Sequence, residues 1–216
     1  MGCGLKMLIN IAFDLLLTVF TISSTLILTI LASYLIFWID ARYLQLDLVT
    51  NLSQQQIWHN YQQVMDYLTH PWIAKLKMTN FFSSAAGLEH FSEVRLWFMV
   101  GVIMWLVSLL LIVWWQKRGH FQQRLLINQY FIVILGLGIL VLALLAIIDF
   151  DDMFTIFHHL LFWNNDWLFD PNKDPVINIL PASFFAHCFL FGFIVCELIL
   201  LIFWLQSRRL LKSHRK

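Results

Sequence analysis

Four long apolar runs dominate the chain, at residues 7–39, 96–115, 127–148 and 184–205. Each reaches or exceeds the roughly 20 residues that a helix needs to cross a bilayer. The apolar residues are continuous instead of alternating with polar ones, which excludes the pattern of a transmembrane β-barrel. We therefore predict an all-α membrane protein with four transmembrane helices, forming a single integral membrane domain over residues 1–216. The first run is longer than a helix needs to cross the bilayer, so we expect the helix to tilt or to project beyond the membrane.

Two longer polar segments, 40–95 and 149–183, connect these runs in pairs. Within the first, residues 52–69 carry apolar side chains at spacings of three and four, which predicts an amphipathic helix; they are Ile57, Tyr61, Val64, Met65 and Leu68. The helix should end at His70, because the residue before a proline is disfavoured in helix. Its apolar face has too few partners for a separate core, so we predict a helical cap on the membrane surface.

Charge sets the predicted orientation. The chain is 60% hydrophobic and 12% charged, against about 25% charged in soluble proteins. The net charge of +1 gives no field that would attract nucleic acid. Nine of the fourteen basic residues fall before span one, in the short loop 116–124 or after span four; they are Lys6, Lys117, Arg118, Arg124, Arg208, Arg209, Lys212, Arg215 and Lys216. The positive-inside rule then makes both termini cytoplasmic and places residues 40–95 and 149–183 outside the cell.

Residues 149–175 carry more chemistry than a connecting loop needs. They combine the pair His158-His159 with several acids, two adjacent Asn residues and many aromatic side chains. His90 stands six residues before span two, so the topology brings it to the same membrane face as the pair. Histidine is the side chain suited to proton transfer near neutral pH. We predict that these histidines meet above the helix bundle; the simpler interpretation makes each one an interfacial polar tip.

Other interpretations of the outer residues stay open at this point. A metal site, as in a metal-dependent membrane hydrolase, could draw on four histidines and three acids, but no HxxxH, HxxE or CxxC spacing supports it; these residues are His59, His90, His158, His159, Asp151, Asp152 and Asp166. Segments 164–166 and 170–175 have the composition of turns, although Asn amides also stabilise oxyanions. A non-catalytic protein that binds lipid or lipoprotein would need the outer cavity but no titrating histidine.

The chain resembles a known family over essentially its whole length. Residues 157–162 (FHHLLF), 165–171 (NDWLFDP), 179–181 (ILP) and the pair Phe184-Phe185 are similar to a bacterial four-span membrane family, the lipoprotein intramolecular transacylases. The first outer segment carries the likeness too, through Asn60-Tyr61, Met65, Tyr67-Leu68, Ser84, Gly87, His90-Phe91 and Val94-Arg95. Arg95 departs from the lysine expected in the family, which keeps the charge but changes the donor geometry.

The resemblance implies an acyltransferase of the bacterial cytoplasmic membrane, with its active site on the extracytoplasmic side. It implies transfer of the sn-2 acyl chain of a diacylglyceryl-cysteine to the free α-amine of the same lipoprotein, which gives the N-acyl, S-monoacylglyceryl (lyso) form. The partners would be a diacylated lipoprotein and membrane lipid, with no cofactor, no metal and no nucleic acid; no oligomeric state is predicted. His158 is the expected base, and His90 the acid or orienting partner.

The other expected site residues have supporting roles. Asn165 and Tyr61 would bind the oxyanion or the lipopeptide head, Arg95 would steady the carbonyl charge, and Asn60 is a further candidate for substrate binding. His159 and Asp170 are second candidates in the outer segment that carries His158.

Overall fold

A computed structural model of the chain describes residues 3–213. Positions 1, 2 and 214–216, which include Arg215 and Lys216 of the predicted cytoplasmic tail, lie outside the described residues. Residues 3–213 contain helices and no β-strand. The α-helices are α1 Cys3–Tyr43, α2 Leu46–Thr50, α3 Gln54–Thr69, α4 Ala85–Lys117, α5 Phe121–Ile127, α6 Gln129–Ile148, α7 Phe150–Leu161 and α8 Ala182–Ser213, with a short 3₁₀ helix at Pro175–Asn178.

Helices α1, α4 and α8 contain the first, second and fourth apolar runs, and α6 contains the third from residue 129 onward, because Ile127 belongs to α5. Each of the four helices is long and apolar enough to cross a membrane. This confirms the prediction of an all-α membrane fold with four spans. The 41 residues of α1 extend over about 60 Å, twice the thickness of a hydrocarbon core. Several large side chains on α6 are more than half exposed, among them Ile134 at 67% and Leu137 at 57%. Apolar surface of this extent is suited to lipid.

The chain folds into two compact units. The first comprises the described residues up to Thr29, then Gly101–Leu144, then the residues from Leu190 onward. Its core is aliphatic and aromatic, formed by Phe13, Leu17, Ile112, Phe121, Leu125, Ile132, Leu200 and Phe203. The predicted loop 116–124 is wrong in part, because helix α5 already begins at Phe121. The turn before it needs Gly119, whose φ of 71° is in the left-handed region that favours glycine.

The second unit comprises Ile30–Val100 and Leu145–Phe189. Its core forms around α3, where the ring of Tyr61 stacks on Phe37 at 3.8 Å between centroids. Helix α3 lies within the predicted amphipathic segment and confirms it. Its N-terminus is held by a capping box, in which the hydroxyl of Ser53 accepts from the backbone N–H of Gln56 and the Gln56 side chain accepts from the backbone N–H of Ser53.

The hydropathy pattern did not indicate the two helical stretches that carry the candidate histidines. Helix α4 begins at Ala85 instead of near residue 96, so His90 belongs to its second turn. Residues 150–161 form the helix α7 and not a loop, and its N-cap Asp149 accepts from the backbone N–H of Asp152 at 3.0 Å. The apolar runs mark where a helix meets lipid, and a helix with polar residues continues beyond that point unmarked.

Candidate active site

The two predicted histidines meet in the second unit. His90 on α4 and His158 on α7 are 8% and 7% exposed, and their ring centroids lie 5.8 Å apart. Rings this close can both reach one bound group, directly or through one water. The outward-facing member of the tandem pair is His159, which is exposed.

A backbone contact fixes the protonation of His158. Its Nδ1 lies 2.8 Å from the carbonyl oxygen of Phe154, one turn earlier on α7. A carbonyl only accepts, so Nδ1 carries the hydrogen and the neutral ring keeps its lone pair on Nε2. Burial lowers the pKa of His158 and the nearby His159 lowers it further, against an upward pull from the Phe154 carbonyl. At pH 7 the ring is therefore neutral, with Nε2 ready to accept a proton.

Aromatic rings enclose the histidine pair. Phe154 and Trp167 lie against His158, with centroids at 4.0 and 4.7 Å. Phe162 and Phe169 present their edges to His90 at 4.7 and 5.5 Å. The Nδ1 atom of His90 is buried among these groups and has no hydrogen-bond partner within residues 3–213. Such a shell excludes water and lowers the local dielectric, which strengthens electrostatic interactions inside it.

Asn164 holds the segment after α7 against helix α4. Its Nδ2 donates to Oε1 of Glu93 at 2.7 Å, and its backbone carbonyl accepts from the indole Nε1–H of Trp167 at 3.1 Å. Its Oδ1 accepts from the backbone N–H of Asp166 at 3.1 Å, which agrees with the turn predicted there. Sequence reasoning favoured Asn165 for a chemical role and did not single out Glu93 or Trp167. Only the tertiary fold brings these residues together.

A second link joins the same two regions. Asp174 is 3% exposed, and its carboxylate accepts from the backbone N–H of Ser84 at 2.8 Å and from the Ser84 hydroxyl at 2.6 Å. The Ser84 hydroxyl also accepts from the N–H of Gly87 and so caps α4. A Cβ at Gly87 would overlap the Asp174 carboxylate, so the helix can approach it this closely only with glycine there. A serine before an apolar helix signals a cap, but nothing in the sequence pairs it with Asp174.

Two further predicted site residues, Tyr61 and Asn60, form hydrogen bonds within the fold. The hydroxyl of Tyr61 donates to Oγ of Ser33 at 2.7 Å, and burial raises the pKa of Tyr61, so the phenol stays protonated. The Asn60 amide exchanges two hydrogen bonds with Asn80, at 2.8 and 3.0 Å. In the part of the chain that the structure describes, no hydrogen bond of these side chains reaches His90 or His158.

The guanidinium of Arg95 is likewise engaged. It donates to the carbonyl oxygens of Ile73 at 2.8 Å and of His70 at 2.9 Å, and it lies 4.7 Å above the ring of Tyr67. These contacts join α4 to the segment after α3. They use the forked donor geometry that distinguishes arginine from lysine, which gives a structural reason for arginine at this position.

The remaining candidates are the exposed His159 and Asn165 and the half-buried Asp170. His159, Phe162, Asn164 and Asn165 line a shallow, open depression together with Leu160 and Trp163. Asp170 belongs to a turn, where its carboxylate accepts from the backbone N–H of Asn172 at 2.9 Å and lies 3.8 Å from Lys173 Nζ. Between residues 3 and 213, no group of three or more His, Cys, Asp or Glu side chains is placed to hold a metal ion.

Comparisons with known proteins agree on one family. The model of the family described as lipoprotein intramolecular transacylase Lit matches residues 11–185. A crystal structure of the membrane-integral lipoprotein intramolecular transacylase Lit from Bacillus cereus is 21% identical and superposes with a TM-score of 0.79, over 96% of this chain and 98% of that one. Structures of two variants of that protein, with a histidine replaced by arginine or by alanine, give TM-scores of 0.69 and 0.70 at the same identity, over 98% of this chain in both cases and over 96% and 98% of theirs. No protein with a curated function matches the chain.

Proposed function

Since the chain belongs to the lipoprotein intramolecular transacylase family, and is thus an acyltransferase of the membrane, we propose that it moves the sn-2 acyl chain of a diacylglyceryl-cysteine to the α-amine of that cysteine. The substrate is a diacylated lipoprotein, and the product is the N-acyl, S-monoacylglyceryl form. Ester and amine belong to one molecule, so holding them in attack geometry supplies much of the acceleration. No cofactor takes part.

The observation that carries the proposal is the buried pair of His90 and His158, with the Nε2 lone pair of His158 left available by the Phe154 carbonyl. Aminolysis of an ester needs a group that first accepts a proton and then returns it. A neutral imidazole performs both steps, and burial keeps His158 neutral at pH 7.

In the proposed reaction, the amine nitrogen attacks the sn-2 ester carbonyl and a C–N bond forms. Nε2 of His158 takes the proton that the nitrogen must lose. The C–O bond to glycerol then breaks, and the same proton passes from Nε2 to the departing secondary alkoxide. Amine and ester thereby become amide and alcohol, and His158 returns to its starting form.

His90 assists in the proposal from the other face of the site. Its ring is 5.8 Å from that of His158, and its buried Nδ1 lacks a partner among the described residues. Buried polar atoms are rarely left unpaired, so we assign this atom a partner that arrives with the substrate. His90 is then the acid or orienting group for the carbonyl or leaving oxygen.

The supporting residues have two kinds of role in the proposal, and only Asn165 keeps the role expected from the sequence. Asn165, exposed at the rim of the depression, contacts the lipopeptide head. Asn60, Tyr61 and Arg95 act through the hydrogen bonds that hold the second unit together. The excess of basic residues beside one set of span ends supports a site on the extracytoplasmic side and termini in the cytoplasm.

The test is acyl transfer by purified protein on a synthetic diacylated lipopeptide, followed by mass spectrometry. Replacing His158 by Ala should lower the rate at least about 100-fold, the range of general acid–base catalysis, and His90→Ala should lower it by a similar order. The matched control is His159→Ala, an exposed imidazole one residue away, which should keep the rate within about threefold. Full lyso product from the His158 variant would refute the role, and no product from the wild type would favour a non-catalytic lipoprotein-binding protein.

A further inference from the structure

Glu93 lies one turn after His90 on helix α4. Residues three apart on a helix share a face, with Cβ atoms about 5–6 Å apart. The face that carries His90 into the site therefore carries a carboxylate as well. Sequence reasoning gave this residue no role, and the proton transfers assigned above do not use it.

The two carboxylate oxygens of Glu93 have different surroundings. Oε1 accepts from Nδ2 of Asn164 at 2.7 Å. Oε2 is buried and has no hydrogen-bond partner within residues 3–213. Glu93 forms no ion pair there either. Arg95, the cation two residues further on, donates to the backbone carbonyl oxygens of His70 and Ile73.

A buried carboxylate oxygen without a cation or donor is unfavourable unless something else pairs with it. The Asn164 that engages Oε1 also accepts from Trp167, whose ring lies 4.7 Å from that of His158. The unpaired oxygen thus belongs to the cluster that holds both histidines. The missing partner is a donor, and a cationic donor would make the strongest hydrogen bond.

We infer that Glu93 is the subsite for the α-ammonium group of the lipoprotein's N-terminal cysteine. The assignment rests on the proposed function, since that reaction brings one ammonium group into the site. Oε2 accepts an N–H of the ammonium and takes one proton from it, which leaves the neutral amine that starts the proposed reaction. After the nitrogen attacks, Nε2 of His158 takes the second proton and passes it to the leaving oxygen, as proposed above. Ammonium and ester become amide and alcohol, and the proton held by Glu93 is released to solvent.

A purely structural role for Glu93 makes a different prediction. Anchoring of Asn164 needs only an oxygen acceptor, and the side-chain carbonyl of Gln supplies one in nearly the same position. Glu93→Gln therefore removes the charge while keeping the bond to Asn164. Asn164→Ala does the reverse, because it removes the bond and leaves the carboxylate. Glu89→Gln is the matched control, an exposed glutamate on the same helix four residues away.

The experiment measures binding with two lipopeptides that cannot react, because ether bonds replace both glycerol esters. One has the free α-amine, and the other has hydrogen in place of the amine. Wild-type protein in detergent should bind the amine form roughly tenfold more tightly, as one charge-assisted hydrogen bond implies. Glu93→Gln should reduce this ratio to within about twofold of unity, while Glu89→Gln and Asn164→Ala keep it near the wild-type value.

The outcomes separate this inference from the proposed function. His158→Ala should lose transfer yet keep the preference for the amine form, so failure of either idea is visible alone. Equal binding of the two lipopeptides by the wild type, or an undiminished preference in Glu93→Gln, would overturn the subsite. So would loss of the preference in Asn164→Ala with its retention in Glu93→Gln, because Glu93 would then act only through the loop.

Discussion

The buried carboxylate of Asp174 provides the sharpest stability prediction. It accepts two hydrogen bonds from Ser84, through the backbone N–H at 2.8 Å and the hydroxyl at 2.6 Å, and it is 3% exposed. Asp174→Ala removes both acceptors and leaves two donors at the start of α4 without them. Asp174→Asn keeps the size of the side chain, but its NH₂ group faces one of the two donors, so one bond is lost.

The expected magnitude follows from these two bonds. A hydrogen bond to a charged acceptor contributes about 1.5–3 kcal/mol, so Asp174→Asn should lower the free energy of unfolding by about 2 kcal/mol. Asp174→Ala loses both bonds, partly offset because the charge no longer has to be desolvated, and should lower it by about 3–5 kcal/mol, the range for breaking a buried charged network. His90 lies less than two turns beyond Ser84, so we also expect transfer by the folded fraction to fall.

The assay is reversible unfolding in mixed micelles with a rising fraction of dodecyl sulfate. A double-mutant cycle with Ser84→Ala isolates the hydroxyl bond, for which we expect a coupling of about 1–2 kcal/mol. Asp151→Asn is the control, because Asp151 is exposed in the first turn of α7 and should change stability by less than about 0.5 kcal/mol. Asp174→Ala within that same margin, or a coupling energy near zero, would refute the link.

Three further predictions test the site. In ¹⁵N NMR at pH 7, His158 should be the neutral tautomer with hydrogen on Nδ1, and it should protonate only below the ordinary histidine pKa of 6.5. The unfolded chain binds that proton more readily, so the folded state should lose stability as the pH drops below 6.5. A half-protonated His158 ring at pH 7 would contradict the lowered pKa. Trp167→Ala should slow transfer at least roughly tenfold by loosening the ring held against His158, whereas Trp163→Ala, at a residue 99% exposed, should not; equal rates would count against a positioning role. Tyr61→Phe should lose about 1 kcal/mol of stability with the Ser33 bond yet keep transfer within about twofold, and loss of transfer in folded protein would restore an oxyanion role.

The spans were predictable because lipid imposes one strong rule. Backbone groups in hydrocarbon must all be hydrogen-bonded, and a helix achieves this within one segment, so a continuous apolar run of sufficient length predicts a helix, as at α6. The rule does not apply to segments outside the hydrocarbon. Helix α7 and the first turns of α4 therefore escaped notice, although Asp149 and Ser84 are the kinds of residue that start helices.

The histidine pair was predictable for a different reason. His90 and His158 each stand next to a span end on the same predicted face, so topology alone limits how far apart they can be. Glu93 and Asp174 offered no comparable signal. Both are acids in a polar outer segment, where most acids are solvated, and their value comes from contacts with residues 71 and 90 positions away in sequence.

These two unforeseen links explain how the histidines are held. Asn164 and Asp174 each bond to helix α4, at Glu93 and at Ser84. The two attachment points on α4 lie on either side of His90. Two of the four rings that enclose the histidines, Trp167 and Phe169, come from the segment between these two bonds. Transfer within one molecule gains most from fixed geometry. Because this segment is hydrogen-bonded near both ends, its aromatic rings are held in place against the histidine pair.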